Sequence, residues 1–110
     1  LSRGSSSLAA IEHCERYVIH VLSSDQMALA GRFARGTAKE RFADVPMTKA
    51  PNGAPKLDAH CAAWFECFNR SRYDEGDHII FVGQVEHCGN SDELPLVYHA
   101  GGYDLTPKKS

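Results

Sequence analysis

No stretch of this sequence approaches the ~20 consecutive apolar residues that a membrane helix requires. Nor does it open like a signal peptide, because Leu1 is followed by the polar run Ser2 to Ser7. The expectation is a cytoplasmic protein that uses no membrane. A basic excess is also lacking: 12 Lys and Arg stand against 14 Asp and Glu, for a net charge of −2. That leaves no positive field to hold a nucleic-acid backbone. The four cysteines, Cys14, Cys61, Cys67 and Cys88, include no C-x-x-C pair, and three lie in apolar stretches. Buried thiols in a reducing compartment are therefore expected, not a disulfide framework. Asn69-Arg70-Ser71 is a formal glycosylation sequon, which means little without secretion. There is no G-x-S-x-G elbow, no phosphate loop ending in Gly-Lys-Ser/Thr and no G-x-G-x-x-G fingerprint. These absences set aside the common hydrolases, the P-loop nucleotidases and the dinucleotide-binding βαβ fold.

What is present suits one domain: 110 residues, 43% hydrophobic and 24% charged. Ser7 is placed to cap a short helix whose Leu8 and Ile11 have helical apolar spacing. Tyr17 to Leu22 favours a strand. Ser23 to Gln26 reads as a capping box, followed by a helix with Met27, Ala30, Phe33 and Ala34 inward and Gly36 as its terminator. Gly36 to about Lys56, with Pro46, Pro51, Pro55 and Asn52-Gly53, reads as a long lid or mobile loop. Leu57 to Phe68 is drawn as a strand, although Ala62 and Ala63 would also suit a helix. Tyr73 to Gly76 reads as a turn, and Ile79 to Val85 as a strand in which Gly83 marks a bulge or a close backbone approach. Leu96 to Tyr98, a Gly101-Gly102 turn and Tyr103 to Leu105 form a last hairpin, with a solvated tail from Pro107 to Ser110. Short helices followed by antiparallel strands make an α+β or mainly β domain, or a partly open barrel.

Four constellations could carry chemistry. Ser2-Arg3-Gly4-Ser5-Ser6-Ser7 gathers hydroxyls, a cation and backbone N–H groups at a helix start, suited to a phosphate; an ordinary exposed cap is the competing reading. His78, after Glu75-Gly76-Asp77, enters a strand where it could face a cleft, or merely pair with a neighbouring carboxylate. Tyr98 and Tyr103 flank a Gly-rich turn that could meet a ring, or simply pack as a hairpin. His-Cys recurs at His13-Cys14, His60-Cys61 and His87-Cys88. Adjacent strand residues point to opposite faces, so no metal site is expected from these pairs.

Taken in order, these segments resemble the flavin reductase family of FMN-binding split barrels. The matching pieces are Ser5-Ser6-Ser7-Leu8-Ala9-Ala10-Ile11; the strand ending at Leu22 with Gln26 and Phe33-Ala34; and Gly53, Pro55 and Leu57 leading to Glu66-Cys67. They continue with Gly76-Asp77-His78 and Gly83, then Pro95-Leu96-Val97-Tyr98 and Gly101-Gly102-Tyr103. The resemblance implies a single split-barrel domain over residues 1–110, antiparallel and Greek-key-like with short flanking helices. The family's N-terminal segment, a Ser/Thr-containing strand leading to a Pro-Pro pair, has no counterpart, so the domain is expected to be incomplete at its N-terminus. Ser7 stands where the family often has Thr, which keeps the hydroxyl.

The resemblance further implies that Arg3, Ser5, Ser6 and Ser7 hold the flavin phosphate. Gln26, Phe33 and Ala34 would lie near the flavin, with His78 at the nicotinamide side and Tyr98 nearby. The implied activity is an NAD(P)H-dependent flavin reductase, passing hydride from NADH or NADPH to FMN or FAD as the reductase component of a two-component monooxygenase. A homodimer and a partner monooxygenase are implied with it. The flavin does the hard chemistry while the protein orients two rings. A non-catalytic FMN-binding module and a domain that binds no cofactor are the alternatives.

Overall fold

The structure is a computed structural model that describes residues 1–35 and 38–104. The Gly36 terminator, Leu105 and the tail from Pro107 to Ser110 lie outside the described residues. Its centre is a three-stranded antiparallel sheet formed by β1 (Arg16–Val21), β4 (Ala63–Glu75) and β5 (His78–Asn90), in the order β1-β4-β5. Two small hairpins flank it, β2 (Met47–Lys49) with β3 (Pro55–Leu57), and β6 (Val97–His99) with β7 (Gly102–Asp104). Three short helices, α1 (Leu8–Glu12), α2 (Met27–Phe33) and α3 (Ala38–Phe42), occupy the connections. The architecture is mainly β and antiparallel, a split barrel with short helices, as the sequence implied.

β4 and β5 form one long ribbon because both carry β-branched and aromatic residues over 13 positions with no proline. Its turn is only Gly76-Asp77, with Gly76 at φ 58°, the positive-φ first position of a two-residue hairpin loop. Tyr73 to Glu75, read from sequence as turn, therefore continue the strand. The ladder slips at two places: Arg70 of β4 and Glu86 of β5 each stand unpaired. Gly83 lies beside the first bulge, facing Asn69, and a Cβ there would stand 2.2 Å from the Tyr17 hydroxyl. Both the bulge and the close approach expected at Gly83 are present. Gly89 has the same role for Trp64, whose ring would lie 2.2 Å from an added Cβ.

Register divides the sheet into two faces. Tyr17, Ile19 and Val21 share one with Phe65, Cys67, Val85 and Ile79. α1 covers part of this face: the Asn69 Nδ2 donates to the carbonyls of Ile11 and Cys14 at 2.9 and 3.0 Å, and Arg72 pairs with Glu12 at 2.8 Å. Cys67 and Ile79 are the deepest apolar side chains here. The other face carries Arg16, Val18, His20, Trp64, Glu66 and Phe68, and the β2–β3 hairpin packs against it through Leu57, Ala50 and Ala54, all buried.

Several local expectations are corrected. The long loop expected from Gly36 to about Lys56 is not one loop over its described residues, 38–56: α3 and the β2–β3 hairpin form there, the hairpin turning at Asn52-Gly53 with Gly53 at φ 90°. Leu57 ends β3, and the long strand starts only at Ala63. Ser7 stands at the cap position of α1 but its hydroxyl makes no capping bond; Ser5 Oγ instead accepts the Ser7 N–H at 3.2 Å. The Ser23–Gln26 box is half formed. Gln26 Oε1 accepts the Ser23 N–H at 2.8 Å, while the Ser23 hydroxyl turns to Asp25 and α2 starts one turn later, at Met27. No residue of α2 is fully buried; Met27 and Ala34 are exposed, so the inner side reduces to Ala30 and Phe33. The last hairpin turns at Ala100-Gly101, with φ 51° and 79°, and Gly102 belongs to β7.

Candidate functional site

The serine-rich segment is tied to the ribbon's turn. Leu1 exchanges backbone hydrogen bonds with Ile79: its amino group donates to the Ile79 carbonyl at 2.8 Å and its carbonyl accepts the Ile79 N–H at 2.7 Å. Ser2 pairs with His78, and the Arg3 N–H donates to the Asp77 carbonyl at 3.0 Å. The chain then folds through Ser5 into α1. Residues that are 76 positions apart, Ser2 and His78, thus become strand neighbours at one end of the molecule.

Arg3 is engaged there structurally. Its Nε donates to the Gly76 carbonyl at 2.9 Å and its guanidinium pairs with Asp74 at 3.2 Å. Half-exposed, that pair adds little stability, but it fixes the turn against the N-terminal segment. Ser5 is committed to the turn through its hydroxyl and its carbonyl, which accepts the Leu8 N–H at 3.2 Å. The hydroxyls of Ser6 and Ser7 make no hydrogen bond to the described residues and so can take an external acceptor. His78 is exposed, with Nδ1 2.8 Å from the Asp77 carboxylate. That contact leaves Nε2 free to meet a ligand.

Two apolar cavities meet at β1. One, of about 480 Å³, lies between β1 and the start of β5 and is lined by Leu1, Ile11, Tyr17, Ile79, Phe81 and His78. The second, of about 380 Å³, lies between β1 and the β2–β3 hairpin; Val18, His20 and Leu22 form one wall and Phe33, Phe42 and Leu57 the other. Phe33 and Phe42 meet edge to face at 5.1 Å between ring centres, joining α2 to α3. Burial holds the Tyr17 phenol above its ordinary value. His20 is pushed below 6.5, first by burial and then by nearby Lys56.

The sequence-selected residues are therefore only partly gathered. His78 lines the first cavity and Phe33 the second, and Tyr17 and Val18 border both. Arg3 and the serines lie by the His78 turn, but Ser5, Ser6, Ser7 and Tyr98 line neither of these two cavities. Tyr98 is 66% exposed and packs edge to face on Tyr103 at 5.1 Å. Gln26 serves the Ser23 turn, and Ala34 is the exposed end of α2. Tyr17, His20, Phe42 and Leu57 were not selected from sequence. The alternation of β1 puts Val18, His20 and Leu22 on one face, and that signal alone could have marked His20.

The fold and the sequence agree with known proteins. A family model described as flavin reductase like domain matches residues 1–106. The chain belongs to this family. Among relatives, the reductase subunit Stc3 of stachydrine N-demethylase from Rhizobium meliloti is 39% identical over 93% of this chain and 42% of its own length. The FMN reductase (NADH) SmoA of Agrobacterium fabrum is 33% identical over 93% of this chain and 57% of its own. A flavin reductase domain protein from Arthrobacter superposes with a TM-score of 0.85 at 28% identity, covering all of this chain and 68% of that one. The chain thus spans about half or less of the length of these two curated relatives.

The flavin reductase family requires a flavin, and the residues present fit parts of one. The free Ser6 and Ser7 hydroxyls suit an anionic phosphate, and the apolar walls along β1 suit a planar ring. No helix among the described residues is long and apolar enough to cross a membrane, and no group of three or more metal-binding side chains occurs among them.

Proposed function

We propose that this chain is the larger part of an NAD(P)H-dependent flavin reductase domain, whose whole protein transfers hydride from NADH or NADPH to FMN or FAD. We further propose that it serves as the reductase component of a two-component monooxygenase and acts as a homodimer. The family membership supports the reaction class. The names of the relatives, an N-demethylase reductase subunit and an FMN reductase using NADH, support the nicotinamide donor and the role as a reductase component, while the homodimer rests on the family resemblance.

The observation that supports the site is the pairing of Ser2 with His78, which ties the segment leading into the serine turn to the start of the strand that carries the imidazole. A bound flavin would accept the hydride and supply the redox chemistry. In this reading the Ser6 and Ser7 hydroxyls grip its phosphate, with Ser5 shaping the turn and Arg3 anchoring it to Gly76 and Asp74. Gln26, Phe33 and Ala34 hold the region near the ring, and Tyr98 contributes from the neighbouring hairpin. His78, oriented by Asp77, holds the nicotinamide through Nε2; it places a ring and moves no obligatory proton. Orientation alone lowers such a barrier, because two rings held face to face react as one molecule.

The test is NADH or NADPH oxidation dependent on added FMN or FAD, measured with the longer protein that contains this segment. Flavin-dependent oxidation is expected, and its absence with every flavin and nicotinamide pair would overturn the proposal. His78→Ala is expected to lower turnover about 10²-fold with flavin affinity kept; unchanged turnover would remove His78 from the site.

A further inference from the structure

The β2–β3 hairpin is not part of the main ladder: no backbone hydrogen bond joins β2 or β3 to β1, β4 or β5 among the described residues. Side chains hold it instead. His20 Nε2 of β1 accepts the Leu57 N–H at 3.1 Å, Glu66 of β4 accepts the Asn52 N–H at 3.2 Å, and the Lys56 ammonium lies 4.1 Å from the centre of the Trp64 ring. His20 and Leu57 also line opposite walls of the 380 Å³ cavity. An imidazole nitrogen that accepts an N–H cannot carry a proton. Protonation therefore replaces this bond by two facing donors.

We propose that His20 is a pH-operated latch: neutral, it holds the β2–β3 hairpin closed over the cavity beside β1, and protonated, it releases it. The surroundings favour the neutral, closed state. Burial disfavours a charge on the ring and the Lys56 cation from β3 adds to that, together outweighing a hydrogen bond to the Val18 backbone that favours the charged form. Glu66 on β4 shares the face, but its Oε1 is committed to the Asn52 N–H, and across the ladder it stands opposite His87. Arg16, on the same face of β1, is compensated by Glu15 at 2.9 Å and Glu86 at 3.0 Å and brings no net positive charge to the cavity. Cys14 and Tyr17 complete the titratable lining, while α2 and α3 present only Phe33 and Phe42. Release of the latch opens a wall of the cavity without unpairing any strand of the main sheet. Because the folded state binds the His20 proton more weakly than the unfolded chain, closure is complete above the ordinary value of 6.5 and is lost as pH falls below it. The device does not depend on the flavin reading.

Trp64, the sole tryptophan, lies beneath Lys56 of the hairpin and reports its position. The experiment is a titration of Trp64 fluorescence from pH 8 to 4.5 on the full chain without flavin, with circular dichroism to confirm that the fold persists. A one-proton red shift with its midpoint below 6.5 is expected, and it should vanish in His20→Gln, whose amide oxygen still accepts the Leu57 N–H. A shift that survives in His20→Gln, or no shift in the parent chain, would overturn the latch. NMR of the parent chain provides the second measurement, independent of any variant. The His20 ring and the Leu57 amide should titrate with one common midpoint, and separate midpoints would equally defeat it.

Discussion

At the scale of single residues, two glycines are places where a neighbouring ring occupies the space of a side chain. Gly83→Ala puts a Cβ against both the Tyr17 ring and the Cys67 Cβ, 3.1 Å away. The expected cost is about 1–3 kcal/mol, a fall in melting temperature of roughly 4–8 °C per kcal/mol. Tyr17→Phe, which removes the nearest atom, should restore part of that loss, and a thermal melt of the double variant checks it. Ala100 presents the opposite case. Its φ of 51° is a conformation that a Cβ disfavours by about 1–2 kcal/mol. Ala100→Gly should relieve that strain, offset in part by the greater freedom of unfolded glycine, for a net gain of about 0.5–1 kcal/mol in denaturant unfolding. Reactivity also separates by residue. Cys88 is exposed, whereas burial pushes the Cys61 and Cys67 thiols up. A thiol reagent at pH 8 should therefore label Cys88 first, Cys14 next, and Cys61 and Cys67 only after unfolding, as mass spectrometry of timed samples would show.

At the scale of elements, legibility followed the range of the interactions that decide each one. β1 and β5 were readable because Val18, Ile19, Ile79 and Ile80 favour extended backbone by themselves. The β2–β3 hairpin was not, since three prolines outweigh three-residue strands whose stability comes from burying Leu57, Ala50 and Ala54 against another element. The ribbon turn was misplaced by the polar residues Asp74 and Glu75. Asp74 stays in strand because it pairs with Arg3 and Arg72, at 3.2 and 3.4 Å, partners remote in sequence or on its own face. The same limit applies to the site. Ser5 to Ser7 and His78 could be singled out as residue types, but their approach depends on Leu1 to Arg3 docking along β5. His20 looked like an ordinary strand residue until Leu57 was placed against it.

Over the whole molecule, ligand binding and folding should be coupled. If FMN occupies the folded protein alone, a concentration about 100 times its dissociation constant adds about 2.7 kcal/mol, a rise in melting temperature on the order of 10 °C. Differential scanning fluorimetry of the longer protein measures this, and riboflavin, which lacks the phosphate, should give a smaller rise if the Ser6 and Ser7 hydroxyls grip that group. Acid should act in the other direction, with global stability declining as pH drops below 6.5 because His20 is held neutral in the folded state. The two unpaired ribbon residues, Arg70 and Glu86, have a consequence for the length of the chain itself. Side chains in a strand alternate, so losing one regularly paired residue within either strand would turn the side chains beyond it to the opposite face. Arg70 and Glu86 stand outside that alternation. They are the two positions at which the ribbon can be shortened by a single residue and still keep each neighbour on its proper side.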